Sequence, residues 1–334
     1  MPALQYRPRV AVVGVGHYHA TYAPFYLNLL VKHGAQLAGV SDPEPGVAQL
    51  RGAPFGAPAF EDYRRMVEQT QPEFVLALGR HADMPAEFRF LVHAGVPFLM
   101  EKPWGIDAQT VRELAALASE RKAWVATPWS MRYGVWVEAA RNAIQSGELG
   151  KVSHIRFRMI RPGVQRYFDQ GCEWMLHKAE AGGGVLLNLG VHGFDLCRWL
   201  TGEEPEIVSA VVSNALYGLD IEDYAAVTLR TPSGIVFHNE VGYTYPRAGG
   251  DDDERTLAAE KALLREEGGA LRIVTAERDE VQGAPEGRVS GWEAVIVDCL
   301  RRLERGEPPP NEPNDCARAV ELTFEAYRMA GVTP

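Results

Sequence analysis

Arg9-Val10-Ala11-Val12-Val13-Gly14-Val15-Gly16-His17-Tyr18-His19 is the stretch that decides how the rest of the chain is read. Arg9 to Val13 is a short apolar run that stops at a glycine, which predicts a fully buried strand. Gly14 then permits a tight turn. Gly16 lets the backbone approach a pyrophosphate, which would sit at the N-terminus of the next helix. That helix is expected from about His17 to His33, with Gly34 as its stop. The third glycine of the full dinucleotide fingerprint is replaced by His19, so the pattern is incomplete. A second expected strand, Gln36 to Asp42, adds what the glycines lack. It ends in an acid twenty-three residues after His19, placed to accept hydrogen bonds from both ribose hydroxyls. The same charge repels a 2′-phosphate, and Pro43 and Glu44 bring no cation, so NAD is expected in preference to NADP. Gly14, Gly16, His17, Tyr18 and Asp42 are the first candidate cofactor contacts.

Downstream, strands and helices alternate. Phe74 to Leu78, Val96 to Glu101 and Trp124 to Thr127 read as strands. Met84 to Ala94, closed by Gly95, reads as a helix, as does a stretch capped by Asp107 and running to about Lys122. This rhythm predicts a parallel α/β sheet of the Rossmann type over residues 1–128. The remainder, 129–334, is expected to be an α+β domain with a large, mostly antiparallel open sheet that binds substrate and mediates oligomerisation. Its expected strands are Val152 to Ile160, Glu206 to Asn214, Tyr224 to Arg230, Ile235 to Tyr243 and Leu271 to Thr275. Helices are expected at about Val185 to Leu200, Gly291 to Arg305 and Asp315 to Met329, and Asp251 to Glu254 reads as a solvated loop.

Composition narrows the function classes. A chain of 334 residues with 46% apolar and 23% charged residues suits a two-domain globular protein. A formal charge of -10 with no basic run argues against nucleic acid. No stretch is apolar for long enough to cross a bilayer, and the first residues lack a signal-peptide core, so the cytoplasm is the expected compartment and no membrane partner is expected. Cys172, Cys197, Cys299 and Cys316 are scattered, which predicts reduced core thiols and no metal site.

Two further motifs carry chemistry. Glu101-Lys102-Pro103 ends a strand, where ligands of a doubly wound sheet bind, and a desolvated lysine there can shuttle a hydroxyl proton. Glu101 and Lys102 are therefore candidate cofactor neighbours as well. Gly182-Gly183-Gly184 leads into Val185-Leu186-Leu187-Asn188-Leu189-Gly190-Val191-His192-Gly193-Phe194-Asp195. Asn188, His192 and Asp195 fall at i, i+4 and i+7, one polar stripe on an otherwise apolar helix, which predicts that the stripe faces a cleft or a buried network. On that geometry, a carboxylate at 188 would lie one turn from His192 and raise its pKa.

In this order, the three motifs resemble the Gfo/Idh/MocA oxidoreductases over nearly the whole chain, including Ile221-Glu222-Asp223-Tyr224 and the last helix. The resemblance implies a dehydrogenase or reductase that moves hydride between a nicotinamide cofactor and a secondary alcohol of a carbohydrate-like substrate. Lys102 and His192 match the family's catalytic lysine and histidine. Asn188 stands where many members carry aspartate, and certain UDP-sugar dehydrogenases are similar in carrying Asn. Arg132 matches a position near the cofactor–substrate junction. Arg80 departs from the family's usual turn and is a candidate for an anionic substrate group. Trp174, His177 and Tyr245 are candidates for the substrate wall. The family also contains NAD-dependent glycoside hydrolases or lyases and non-enzymatic NAD-binding sensors, and these are the rival readings. A homodimer or homotetramer is expected. Helices are too few to cover both faces of the second sheet, and Val227, Leu229, Val236 and Phe237 are expected to leave apolar groups on both.

Overall fold

A computed structural model describes residues 6–16, 23–283 and 289–332. Its first sheet is β1 (Arg9–Val13), β2 (Gln36–Ser41), β3 (Ala59–Phe60), β4 (Phe74–Ala77), β5 (Phe98–Met100) and β6 (Val125–Ala126), all parallel, in the order β3-β2-β1-β4-β5-β6. Helices α1 (Ala23–Lys32), α2 (Val47–Gly52), α3 (Tyr63–Thr70), α4 (Met84–Ala94) and α5 (Ala108–Arg121) connect these strands. β1, β4 and β5 are buried on both faces apart from Arg9, which is why they read as unbroken apolar runs. Asp107 caps α5 as expected, its Oδ1 accepting from the Thr110 backbone N–H at 2.7 Å.

The second sheet has eight strands: β7 (Val152–Pro162), β8 (Glu206–Ser213), β9 (Tyr224–Arg230), β10 (Val236–Tyr245), β11 (Asp252–Ala259), β12 (Leu263–Glu267), β13 (Ala270–Val274) and β14 (Asp279–Gln282). Their order is β14-β13-β12-β11-β7-β10-β9-β8, antiparallel except for the parallel pair β7–β10. The helices after β6 are α6 (Val135–Ser146), α7 (Gln165–Asp169), α8 (Lys178–Ala181), α9 (Val191–Thr201), α10 (Gly291–Arg305) and α11 (Pro313–Met329). The acidic run expected to be a loop is the start of β11. Asp252 and Glu254 are drawn into the sheet by arginines of β7, with Arg158 to Asp252 at 2.7 Å and Arg156 to Glu254 at 3.7 Å.

Val227, Leu229 and Phe237 all point to the helix-covered face and are buried, and of the four only Val236 is half-exposed. The other face mixes the polar His154, Arg156, Arg158, Thr228, His238, Glu240 and Glu254 with the apolar Val211, Ala226 and Val236. α10 packs far from its sequence neighbours. Val295, Ile296, Cys299 and Leu300 join Val10, Val12, Leu27, Leu30 and Leu76 in the core of the first sheet. Glu293 accepts from Lys32 at 2.6 Å, and Trp292 meets Tyr26 edge-on at 5.9 Å. Among the described residues no helix is long and apolar enough to cross a membrane.

Candidate active site

The strand order reverses between β1 and β4, and a crevice opens there at the strands' carboxyl ends. Gly14 turns the chain out of β1 with φ at 77°, so close to β4 that a Cβ would lie 2.9 Å from the Leu78 carbonyl carbon. The Gly16 N–H donates to Asp42 Oδ2 at 2.6 Å, and the Glu44 N–H donates to Oδ1 at 3.0 Å. A side chain at Gly16 would strike that carboxylate. Burial raises the Asp42 pKa, opposed by these two backbone donors and by the Arg80 charge. The turn and its acid thus fit a dinucleotide: Gly14 and Gly16 would leave bare main chain for a pyrophosphate, and Asp42 at the end of β2 would serve the ribose. His17 and Tyr18 lie outside the described residues.

Lys102 follows β5 and is buried. Its Nζ donates to Asn188 twice, to the backbone oxygen at 2.7 Å and to Oδ1 at 2.6 Å. The Asn188 Nδ2 then donates to Tyr243 Oη at 2.8 Å and to Tyr167 Oη at 3.1 Å. With both ends of the amide engaged, its orientation is fixed. Burial lowers the Lys102 pKa to about 8; the Glu101 carboxylate opposes that shift and the Arg166 guanidinium adds to it. Glu101 itself accepts from Tyr26 Oη at 3.0 Å.

The expected helix is interrupted where this chemistry is. Leu186–Gly190 forms a π-helical turn before α9 begins at Val191. Such turns widen a helix and are frequent at functional sites. Here the Asn188 carbonyl is taken by Lys102. Glu222 anchors the entry to the turn, accepting from the Gly184 and Leu186 N–H groups at 2.9 and 2.8 Å and from Tyr327 Oη at 2.7 Å. His192 lies one turn after Asn188, its ring edge-on to Trp129 with 5.7 Å between centroids. Lys102, Asn188 and His192 line one cleft of about 280 Å³, with Ser130, Met159 and Trp292 on other walls.

Other candidates go elsewhere. Arg132 is buried with Asp195 and Asp315, its Nε 3.0 Å from Asp195 Oδ2, and its guanidinium stacks 4.2 Å from the Trp199 ring centre. Asp195, the third member of the stripe, is therefore turned to Arg132, and Ser130 and Met131 reach the cleft instead. Trp174 packs edge-on against His81, His177 is exposed, and Tyr245 is half-buried at the end of β10. Arg80 is half-buried with its charge near Asp42 and Cys172. Arg161, Arg166, Tyr167 and Tyr243 belong to the site without having been singled out from sequence.

Fold and cleft together define an NAD-dependent oxidoreductase, with a dinucleotide crevice in the first domain and a buried lysine at its edge. The chain belongs to the GFO/IDH/MocA family: residues 8–127 match the oxidoreductase family's NAD-binding Rossmann fold, and residues 137–265 match the GFO/IDH/MocA C-terminal domain. It is 25% identical over 308 residues to an inositol 2-dehydrogenase of Rhizobium meliloti, covering 88% of this chain and 89% of that one. It is 27% identical over 191 residues to a 1,5-anhydro-D-fructose reductase of Ensifer adhaerens, 56% of each. Among solved structures, GenD2 from gentamicin A biosynthesis in complex with NAD superposes with a TM-score of 0.84 at 24% identity, over 99% of this chain and 97% of that one.

Proposed function

We propose that the protein transfers hydride between NAD and a secondary alcohol of a sugar, polyol or sugar derivative held in the cleft. The observation that carries this is Lys102. It is a buried amine at the carboxyl end of β5, positioned by Asn188 and sharing a cleft with His192. When bound, the nicotinamide accepts or returns the hydride. In the oxidative direction, neutral Lys102 takes the hydroxyl proton as the carbonyl forms, and in reduction the ammonium returns it. A pKa of about 8 keeps both forms populated near neutrality. His192 supplies a second hydrogen bond to the same oxygen. Asn188 cannot titrate; it fixes the Nζ. The names of the relatives, inositol 2-dehydrogenase and 1,5-anhydro-D-fructose reductase, support a polyol or sugar substrate. We read the protein as cytoplasmic and as a homodimer or homotetramer.

Lys102→Met tests this role, because methionine keeps the length and apolar stem of the lysine. Turnover, followed as NADH formation with a panel of polyols and sugars, should fall by about 10²–10⁴-fold. NAD affinity, followed by fluorescence titration, should change less than about twofold. A variant that keeps half its activity would remove Lys102 from the chemistry.

A further inference from the structure

A lysine ammonium has three N–H bonds, and Asn188 receives two of those of Lys102. One goes to the Asn188 backbone oxygen at 2.7 Å and one to Oδ1 at 2.6 Å. The backbone oxygen is held by the π-helical turn Leu186–Gly190. Oδ1 sits on a side chain whose torsions could swing it away or turn the amide over. A pair of hydroxyls from distant parts of the chain opposes that. The Asn188 Nδ2 gives its two N–H groups to Tyr243 Oη at 2.8 Å and Tyr167 Oη at 3.1 Å. Both rings are buried and meet edge-on with 5.7 Å between centroids. Arg166 Nη2 donates to Tyr167 Oη at 2.9 Å and so anchors that hydroxyl in turn.

The orientation of the amide bears on proton transfer through the third direction at Nζ. With oxygens on two N–H bonds, that direction carries the last proton of the ammonium, or the lone pair of the neutral amine. Lys102 lines the cleft, where a substrate oxygen would meet it. An amide turned over would present N–H to Nζ. It would repel the ammonium, and it would occupy the lone pair at which a substrate hydroxyl proton has to arrive.

We propose that Tyr167 and Tyr243 are positioning residues for the proton transfer: acting through Asn188, they keep an oxygen on Lys102 Nζ and leave its third direction to the substrate. This rests on the reading of Lys102 as the proton-transfer group. Tyr167 comes from α7 and Tyr243 from β10, so the second domain sets the geometry of a lysine that the first domain supplies. The charged and titratable groups around Nζ are Glu101, Arg166 and Cys316, with His192 in the same cleft. Tyr243→Phe replaces none of these groups and removes no hydrogen bond of Arg166 to Tyr167, which makes it the primary variant.

The test uses the full chain with NAD present. Lys102 is followed by NMR of isotope-labelled lysine Cε, a label that only six residues of the chain carry, with Lys102→Met assigning its signal. In Tyr243→Phe the Lys102 titration midpoint should fall by about half a pH unit or more, because the charged form loses a well-placed acceptor. Turnover of the best substrate in the polyol and sugar panel should show kcat lowered about ten-fold and KM changed less than about twofold. In the Asn188→Asp background the same exchange should move the midpoint upward, because a carboxylate relieved of a hydroxyl donor holds the ammonium more tightly. A general loosening of the core would move both backgrounds alike. Should Tyr243→Phe not fold, Tyr167→Phe keeps the other hydroxyl and is read in the same way. The proposal is overturned if midpoint and kcat both stay at wild type, if KM alone rises, or if the two backgrounds shift in the same direction. A shifted midpoint in a chain that Lys102→Met leaves active would keep the positioning of Nζ and remove the reading of Lys102; an inactive Lys102→Met with an unmoved midpoint would do the reverse.

Discussion

Asn188→Asp exchanges a neutral oxygen for a charged one 2.6 Å from the Lys102 ammonium. An opposite charge at that distance favours the protonated amine, so the lysine pKa should rise by about 1–3 units. Oxidation needs the neutral amine. The acidic limb of its pH–rate profile, expected near pH 8 from the lowered lysine pKa, should therefore move to higher pH in the variant. The sequence pointed to His192 as the group that such a carboxylate would disturb, by helical spacing alone. The structure assigns the effect to Lys102, because the Asn188 amide is turned to Nζ and to the tyrosine hydroxyls. An unmoved limb in a folded, NAD-binding variant would mean that Lys102 is not the titrating group. The difference between the two expectations marks what a sequence can hold. Lys102, Asn188 and His192 were legible, because strand ends and glycine-led helices announce themselves locally. Tyr167, Arg166 and Tyr243 were not, because they reach the cleft only through long-range folding of α7 and β10.

At the scale of elements, α4 carries a cost that can be measured. Glu87 is buried against the turn after β4, and its Oε2 has no hydrogen-bond partner among the described residues. Burial raises its pKa from 4.5 to about 8, and the charges of Asp83 and Asp42 add to the shift. A carboxyl whose folded pKa lies above its unfolded value contributes its full stability below the unfolded pKa and loses it as pH rises to the folded one. The loss runs at about 1.4 kcal/mol per pH unit. Glu87→Gln removes the titration. Its thermal midpoint should match wild type at pH 5 and exceed it increasingly up to pH 8, by a free energy of roughly 2 kcal/mol or more. Parallel midpoints across that range would show that Glu87 stays ionised in the fold. The elements themselves were read from sequence to different degrees. β1, β4 and α5 were plain, since apolar runs and an Asp cap are local signals. β11 was not, since its acids became strand residues only by pairing with arginines of β7. The π turn at Leu186–Gly190 was invisible because its residues also suit an ordinary helix.

For the whole molecule, the outer face of the second sheet is the surface proposed for self-association. Sequence reasoning expected apolar groups on both faces; the structure turns Val227, Leu229 and Phe237 inward and leaves Val211 and Val236 outside among histidines, arginines and glutamates. A dimer or tetramer built on that face would be held by charge pairs as well as by apolar contacts, and the charged part would weaken with salt. Light scattering at micromolar concentration should report at least twice the 36.9 kDa chain mass at low ionic strength, falling as salt is added. A monomer at every salt concentration would exclude this assembly.

The position of α10 governs how the protein can be made. Its apolar side completes the core beneath β1 and α1, and Trp292 at its start reaches the cleft. On the ribosome, residues 291–305 follow every strand of both sheets, so the apolar face made by Val10, Val12, Leu27 and Leu30 stays uncovered until α10 emerges. The nascent first domain must therefore wait for its last wall, and a chaperone that shields Val10, Val12, Leu27 and Leu30 would be protecting the surface that α10 later claims.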